Sequence, residues 1–225
     1  ASYARTLRFF AAILSMIFPA VYVAVATWHT SLLPTKLVLS MAEARQGVPF
    51  PALGEILLME ISFELLKEAG IRLPGPMGNT IGIVGGLIIG QAAVDASLVS
   101  PIVVIVVAFT ALCSFAIPNE EFASAFRILK YGCIFMGAWL GLYGVALSGL
   151  WVLIHLSHLN SFGIPYLMPF VGKGLAGYRA PKDSVWRPPL YRMRERPVFA
   201  KRDQRVRLRK KQKAVGTEEK QERGE

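Results

Sequence analysis

A glycine-rich apolar stretch that directly follows a carboxylate-bearing helix constrains this chain more than any other feature. Within and just before the segment 79–97, glycine recurs every fourth residue, at Gly78, Gly82, Gly86 and Gly90. Four-residue spacing places small residues along one side of a helix. Glycine destabilises a water-exposed helix by about 1 kcal/mol relative to alanine, whereas a bilayer enforces helicity and small residues allow close packing there. The pattern therefore predicts a membrane helix packed tightly against its neighbours.

The chain combines an apolar body with a strongly basic carboxyl-terminal stretch. Of its 225 residues, 53% are hydrophobic, and the formal net charge is +10. Residues 172–225 hold 17 Lys and Arg against 7 Asp and Glu, whereas residues 1–171 hold eight of each kind. We therefore expect a transmembrane domain over 1–171 and a basic, largely disordered tail over 172–225. The positive-inside rule places that tail in the cytoplasm.

Four segments are apolar enough to be predicted as membrane-spanning helices, about 7–28, 79–97, 101–118 and 131–155. The predicted fold is an all-α, polytopic membrane helix bundle of about four transmembrane helices, with an amphipathic helix over 51–70. Four crossings put both ends of the chain on one side. They also leave six basic residues on the side expected to be poor in positive charge: Lys36, Arg45, Lys67, Arg72, Arg127 and Lys130.

The segment 51–70 carries too many charges to be predicted to cross a membrane alone. Its helical pattern separates a charged face from an apolar one, so we expect it at the interface or inside an assembly. In an oligomer, Glu60 and Glu64 are the leading candidates for a carboxylate ring that attracts cations. The alternative is a solvated face with local pairs, Glu64 to Lys67 or Glu68 to Arg72.

The glycine-rich helix also has two interpretations. As a pore element it would let copies converge, with Ile83, Val84 or Leu87 forming an apolar constriction that gates by dewetting. The alternative is close helix packing within one subunit. The two roles can coexist on different faces of the helix.

The remaining polar and sulfur-containing residues predict no catalytic chemistry. Zinc-protease, nucleophile-elbow, P-loop and dinucleotide-binding motifs are absent from the sequence, which predicts a non-enzyme without a cofactor. His155 and His158 have a weak metal-like spacing, but no acid or cysteine lies nearby to complete a site. Cys113 and Cys133 are interpreted as small apolar fillers. The acidic pair Glu120/Glu121 and the basic pair Arg127/Lys130 predict a solvated linker helix.

The basic tail predicts contact with anionic lipid head groups. No binding module for nucleic acid is recognisable, so we expect no nucleic-acid partner. The candidate lipid-contacting residues are Arg192, Arg194, Arg196, Arg205, Arg207, Arg209, Lys210 and Lys211.

Several long strings resemble the membrane domain of the A subunits of GerA-type spore germination receptors. They are GVPFP (47–51), LLMEISFELLKEAGIRLPGPMG (57–78), IGIVGGLIIGQAAV (81–94), LVSPIVVIVVAFTALCSFAIPN (98–119) and RPPLYRMRERP (187–197). The resemblance covers about residues 1–200. Stage V sporulation protein AF has a closely similar membrane domain, and the strings do not separate the two.

The resemblance implies a nutrient receptor subunit in the inner membrane of a bacterial spore. It implies B and C subunits as partners and a homo-oligomer of A subunits that forms a nutrient-gated ion channel. The A subunits of the family also carry a soluble amino-terminal region that this sequence does not include. A non-conducting scaffold for partner subunits and a solute transporter are the competing interpretations.

Overall fold

The chain is helical in almost all of the residues that the computed structural model describes, 2–72, 76–161 and 164–167. The helices are α1 (Ser2–Thr27), α2 (Thr35–Ala44), α3 (Ala52–Arg72), α4 (Pro76–Asp95), α5 (Pro101–Phe115), α6 (Glu120–Leu140) and α7 (Leu142–His158), with a 3₁₀ turn at Thr30–Leu32. Two short strands, β1 (Asn160–Ser161) and β2 (Ile164–Pro165), pair antiparallel. The all-α class is therefore confirmed. The chain divides into two units, Thr6–His158 and a second made of Ala1–Arg5 with Leu159–Glu225.

One helix in the described part of the chain, over Tyr3–Thr27, is by length and composition able to cross a membrane. Three shorter apolar helices have 10–17 residues, Val84–Asp95, Pro101–Phe115 and Leu142–His158. The polytopic arrangement thus stays a prediction.

The core of the larger unit lies where α1, α3, α5 and α6 meet. Its fully buried side chains include Ala20, Val23, Ile56, Val103 and Ile134. Phe18 of α1 adds an edge-on contact with Phe109 of α5, at 5.1 Å between ring centroids. These small and branched side chains let the four helices approach closely.

The opposite, outward faces of the helices are also apolar. Leu87 of α4, Ile105 of α5 and Trp139 of α6 are 71%, 68% and 78% exposed. Large apolar side chains exposed on several helices suit contact with a membrane or a partner.

The segment 131–155 is not the single helix predicted from the sequence, because α6 ends at Leu140 and α7 begins at Leu142. Gly141 lies between them with φ 65° and ψ −145°, a backbone conformation that other residues rarely adopt. Beyond it the chain reverses direction. A side chain at Gly144 would meet the Met136 carbonyl, and Cys133 faces Ser148. The two helices therefore form a tight antiparallel hairpin.

The hairpin tip contacts the end of α1. The Trp28 indole donates a hydrogen bond to the Ala138 carbonyl at 2.8 Å. Beside Ala138, a side chain at Gly137 would come within 2.8 Å of the Ala20 carbonyl oxygen. Glycine at that position therefore allows the backbones of α1 and α6 to come close together.

Candidate functional site

Helix α3 buries two of its four carboxylates and directs part of its apolar surface outward. Glu55 and Glu60 are 0% and 3% exposed, whereas Ile61 and Leu65 are 50% and 67% exposed. A helix on the surface of a soluble protein has the reverse polarity. The solvated carboxylate face considered from the sequence is therefore wrong for Glu60, although the predicted pair of Glu68 with Arg72 is confirmed at 2.7 Å.

Two carboxylates of α3 pair with two basic side chains of α6. Lys130 Nζ lies 2.5 Å from Glu60 Oε2 and 3.5 Å from Glu64 Oε1. Arg127 Nη1 lies 2.8 Å from Glu64 Oε2. We call Glu60, Glu64, Arg127 and Lys130 the charge cluster. Its formal charge is zero, because two carboxylates meet two cations.

The inner end of the charge cluster is shielded from solvent. The side chains of Lys130 and Glu60 are 7% and 3% exposed, and those of Arg127 and Glu64 are 24% and 22% exposed. Glu60 Oε1 has no hydrogen-bond partner among the described residues. Removing one member of a buried ion pair costs about 3–5 kcal/mol, because the other charge is left without compensation. The cluster therefore holds α3 against α6 in one register.

The predicted solvated linker helix is wrong for its basic pair. Arg127 and Lys130 lie within α6, and Lys130 is buried. One feature of the sequence could have suggested their partners: Glu60 and Glu64 are one helical turn apart, and so are Arg127 and Lys130. Matching spacings on two helices allow two ion pairs to form together.

A second buried carboxylate, Glu55, joins three segments at the other end of α3. Its Oε1 lies 2.9 Å from Arg45 Nη2, and its Oε2 accepts a hydrogen bond of 2.8 Å from the backbone N–H of Ser100. Ser100 is the residue before α5, so the carboxylate lies at the positive end of that helix. The sequence alone assigns Glu55 no role, because Arg45 precedes the helix and the other partner is a backbone N–H 45 residues away.

The glycine series makes contacts that differ from one member to the next. Gly86 and Gly90 face Leu66 and Val104 in ordinary van der Waals contact, and Gly82 faces open space. The closest approach is at Gly85, which the four-residue pattern does not include. A side chain there would come within 2.5 Å of Leu66. Close packing of α4 on α3 therefore uses Gly85 and Gly86.

The candidate pore residues lie on α4, and their proposed role stays a prediction. Val84 and Leu87 are 46% and 71% exposed, so the described part of the chain does not cover them. The surroundings of Gly78 and Ile83 lie outside the described residues. The same holds for the tail residues predicted to contact lipid, Arg192, Arg194, Arg196, Arg205, Arg207, Arg209, Lys210 and Lys211.

Glu60 and Glu64 are paired within the chain, and a part in attracting ions likewise stays a prediction. Among the residues whose placement is described, no group of three or more His, Cys, Asp or Glu side chains could hold a metal ion. The geometry thus provides internal charge pairing and close helix contact.

Outward apolar faces, inward paired charges and a helix of spanning length together define a membrane-associated α-helical protein. The chain belongs to the Bacillus/Clostridium GerA spore germination protein family, whose family profile matches residues 1–199. That membership agrees with the resemblance seen in the sequence.

Individual relatives match most of this chain. Spore germination protein GerLA of Bacillus cereus is 45% identical over 87% of this chain and 39% of its own length. Spore germination protein A1 of Bacillus subtilis is 45% identical over 84% of this chain and 39% of its own. Spore germination protein KA of the same species is 42% identical over 93% of this chain and 38% of its own length. The chain thus spans about two fifths of these relatives. No solved structure matches it.

Proposed function

We propose that this chain is the membrane part of a nutrient germinant receptor subunit in the inner membrane of a bacterial spore. Its partners are B and C subunits, and copies of it assemble into an oligomeric ion channel that opens when nutrient binds. The observation that carries this proposal is the family match over residues 1–199. The apolar exterior supports the membrane location.

The exposed face of α4 supports assembly around an axis. Val84, Leu87 and Ile88 are all exposed in the single chain, at 46%, 71% and 58%. They lie on one helical face, since Leu87 and Ile88 follow Val84 by three and four residues. In an oligomer this face would form an apolar constriction that closes to ions until the helices separate.

Flux through the purified full-length subunit in liposomes tests the channel proposal. A channel passes small cations at rates that no alternating-access cycle reaches, whereas a transporter saturates with substrate. A scaffold passes nothing above empty liposomes. If the complete receptor, with its B and C subunits and nutrient, passes no ions, the channel proposal is overturned. The receptor role is tested separately, by whether spores of the deletion strain still germinate with nutrient.

Shortening Val84 tests the assigned constriction. We expect spores carrying Val84→Ala in the full-length protein to lose dormancy and germinate without nutrient. A smaller side chain widens the apolar constriction, so that water and ions enter it. The matched control is Ile105→Ala, which shortens another exposed apolar residue on α5. Release of spore cations and loss of refractility report the result. Unchanged dormancy in the Val84 variant would remove this face of α4 from the pore.

A further inference from the structure

Two helices that look too polar to enter a membrane have the length needed to cross one. Helices α3 and α6 each contain 21 residues, which corresponds to about 31 Å at 1.5 Å per residue. The hydrocarbon core of a bilayer is about 30 Å thick. Charged residues within membrane helices pair with one another and face the protein interior. The four members of the charge cluster meet both conditions.

The position of the hairpin tip gives the depth of the charge cluster. Trp28, Trp139 and Tyr143 are 61%, 78% and 75% exposed near the tip, and exposed aromatic rings of this kind mark the membrane–water interface. Lys130 is ten residues before the end of α6, hence about 15 Å from the tip along the helix. That distance places Lys130 and Glu60 near the middle of the bilayer.

The contacts between helices agree with one alternating up-and-down order. Helices α3 and α5 run parallel, since Glu55 pairs with Ser100 near their starts and Lys67 lies over the Phe115 ring near their ends. Helices α3 and α6 run antiparallel, because Glu60 pairs with Lys130 and Glu64 with Arg127.

The other neighbouring helices obey the same order. Helix α4 runs antiparallel to α3, because Gly85 meets Leu66 and Gly86 meets Phe63. Helix α7 runs antiparallel to α6, since Gly137 meets Val145 across the hairpin. Helices α1 and α6 run parallel, because Ala20 faces Gly137 and His29 faces Gly141.

We infer that the chain crosses the membrane six times, through α1, α3, α4, α5, α6 and α7, and that the ion pairs of the charge cluster carry α3 and α6 across it. Six crossings place the start of α1 and the end of α7 on one side of the membrane. The shorter helices α5 and α7, with 15 and 17 residues, are accommodated by local thinning of the bilayer.

This topology reduces the charge conflict of the four-crossing arrangement. In this topology Lys67 and Arg72, at the end of α3, lie on the side of the membrane where α1 begins. Arg127 and Lys130 lie within the membrane, where the two carboxylates of the charge cluster neutralise them. Of the six basic residues previously placed on the positive-poor side, Lys36 and Arg45 remain there, and Arg45 is paired with Glu55. The positive-inside rule is therefore better satisfied.

Cysteine accessibility tests the crossing of α3. In the full-length protein with Cys113→Ala and Cys133→Ala, single cysteines replace Gln46 and Ala69, exposed residues before and near the end of α3. Thr30 after α1 and His158 at the end of α7 serve as references. In sealed vesicles, a membrane-impermeant maleimide should label Gln46→Cys from the same side as Thr30→Cys. Ala69→Cys should react from the same side as His158→Cys. Labelling of both α3 positions from one side overturns the inference.

A depth measurement gives an independent readout. A spin label at Ile61→Cys, beside Glu60 on the exposed face of α3, should be accessible to oxygen and protected from a water-soluble nickel complex. A label at Ile13→Cys in the middle of α1 is the matched control, because Ile13 is also exposed, at 43%. Nickel accessibility at Ile61 well above that at Ile13 would place α3 at the membrane surface and overturn the inference.

Discussion

Replacing Lys130 with methionine is expected to destabilise the protein more than any other single charge removal in α6. Methionine fills a similar volume but leaves Glu60 without its only ion-pair partner among the described residues. The Glu60 side chain is 3% exposed, so water cannot replace the lost ammonium. The expected loss is about 3–5 kcal/mol of unfolding free energy. Denaturation in detergent micelles, followed by circular dichroism, measures it.

The matched control removes a cation from an exposed pair of the same helix bundle. Arg72 and Glu68 form an i, i+4 pair whose side chains are 78% and 51% exposed. Exposed pairs of this kind contribute about 0–1 kcal/mol, so Arg72→Met is expected to have little effect. Equal stability of the Lys130→Met and Arg72→Met proteins would contradict a water-poor charge cluster.

A charge swap separates the ion pair from the shape of the lysine side chain. Glu60→Lys alone brings three cations and one carboxylate together and should prevent accumulation in the membrane. The double variant Glu60→Lys with Lys130→Glu restores one opposite pair, although Glu64 then lies beside the new carboxylate. We expect partial recovery of protein level and stability. The coupling energy from this double-mutant cycle reports the interaction itself. If the double variant is no more stable than either single variant, the side chains at positions 60 and 130 do not interact as proposed.

Local sequence signals predicted the positions of α1, α3, α4 and α5. The proline at position 101 begins α5 as expected, since proline suits the first turn of a helix. The predicted helix over 51–70 corresponds to α3, Ala52–Arg72, which continues two residues beyond Gly70 and ends before Pro74. Short-range patterns carry these boundaries, so no knowledge of the tertiary fold was needed.

The pairing of α3 with α6 depends on information that periodicity does not contain. Glu64 and Arg127 are 63 positions apart, and helical spacing describes only residues within a few turns of one another. Considered without a partner helix, Glu60 and Glu64 indicated a solvent-exposed face of α3. With α6 packed beside α3, these two carboxylates pair with Lys130 and Arg127 between the helices. The choice of partner inverted the interpretation of both helices.

The break at Gly141 was missed for a different reason. Glycine in an apolar helix usually reflects close packing, and Gly137, Gly141 and Gly144 look alike in the sequence. The reversal depends on a positive φ at Gly141 and on the absence of a side chain there, because a Cβ would lie 2.6 Å from Cε1 of His29, just after α1. Neither is visible before the chain has folded.

Adding a methyl group at Gly144 is expected to open the α6–α7 hairpin. The Cβ of an alanine there would overlap the carbonyl oxygen of Met136 and lie 3.0 Å from the Leu140 side chain. Because the closest atom belongs to the backbone of α6, no side-chain rotation relieves the overlap. Overpacking of this kind costs about 1–3 kcal/mol. The measurable result is a lower unfolding midpoint in detergent micelles.

Gly149→Ala is the matched control, because it makes the same change in the same helix. A side chain at Gly149 meets nothing within 4 Å, and alanine favours the helix by about 0.5–1 kcal/mol over glycine. The control should therefore be as stable as the parent protein or more so, whereas Gly144→Ala should be less stable. The difference in sign between two glycines five residues apart follows only if α7 folds back on α6. If both variants gained stability, α6 and α7 would be one continuous helix, and the hairpin would be refuted.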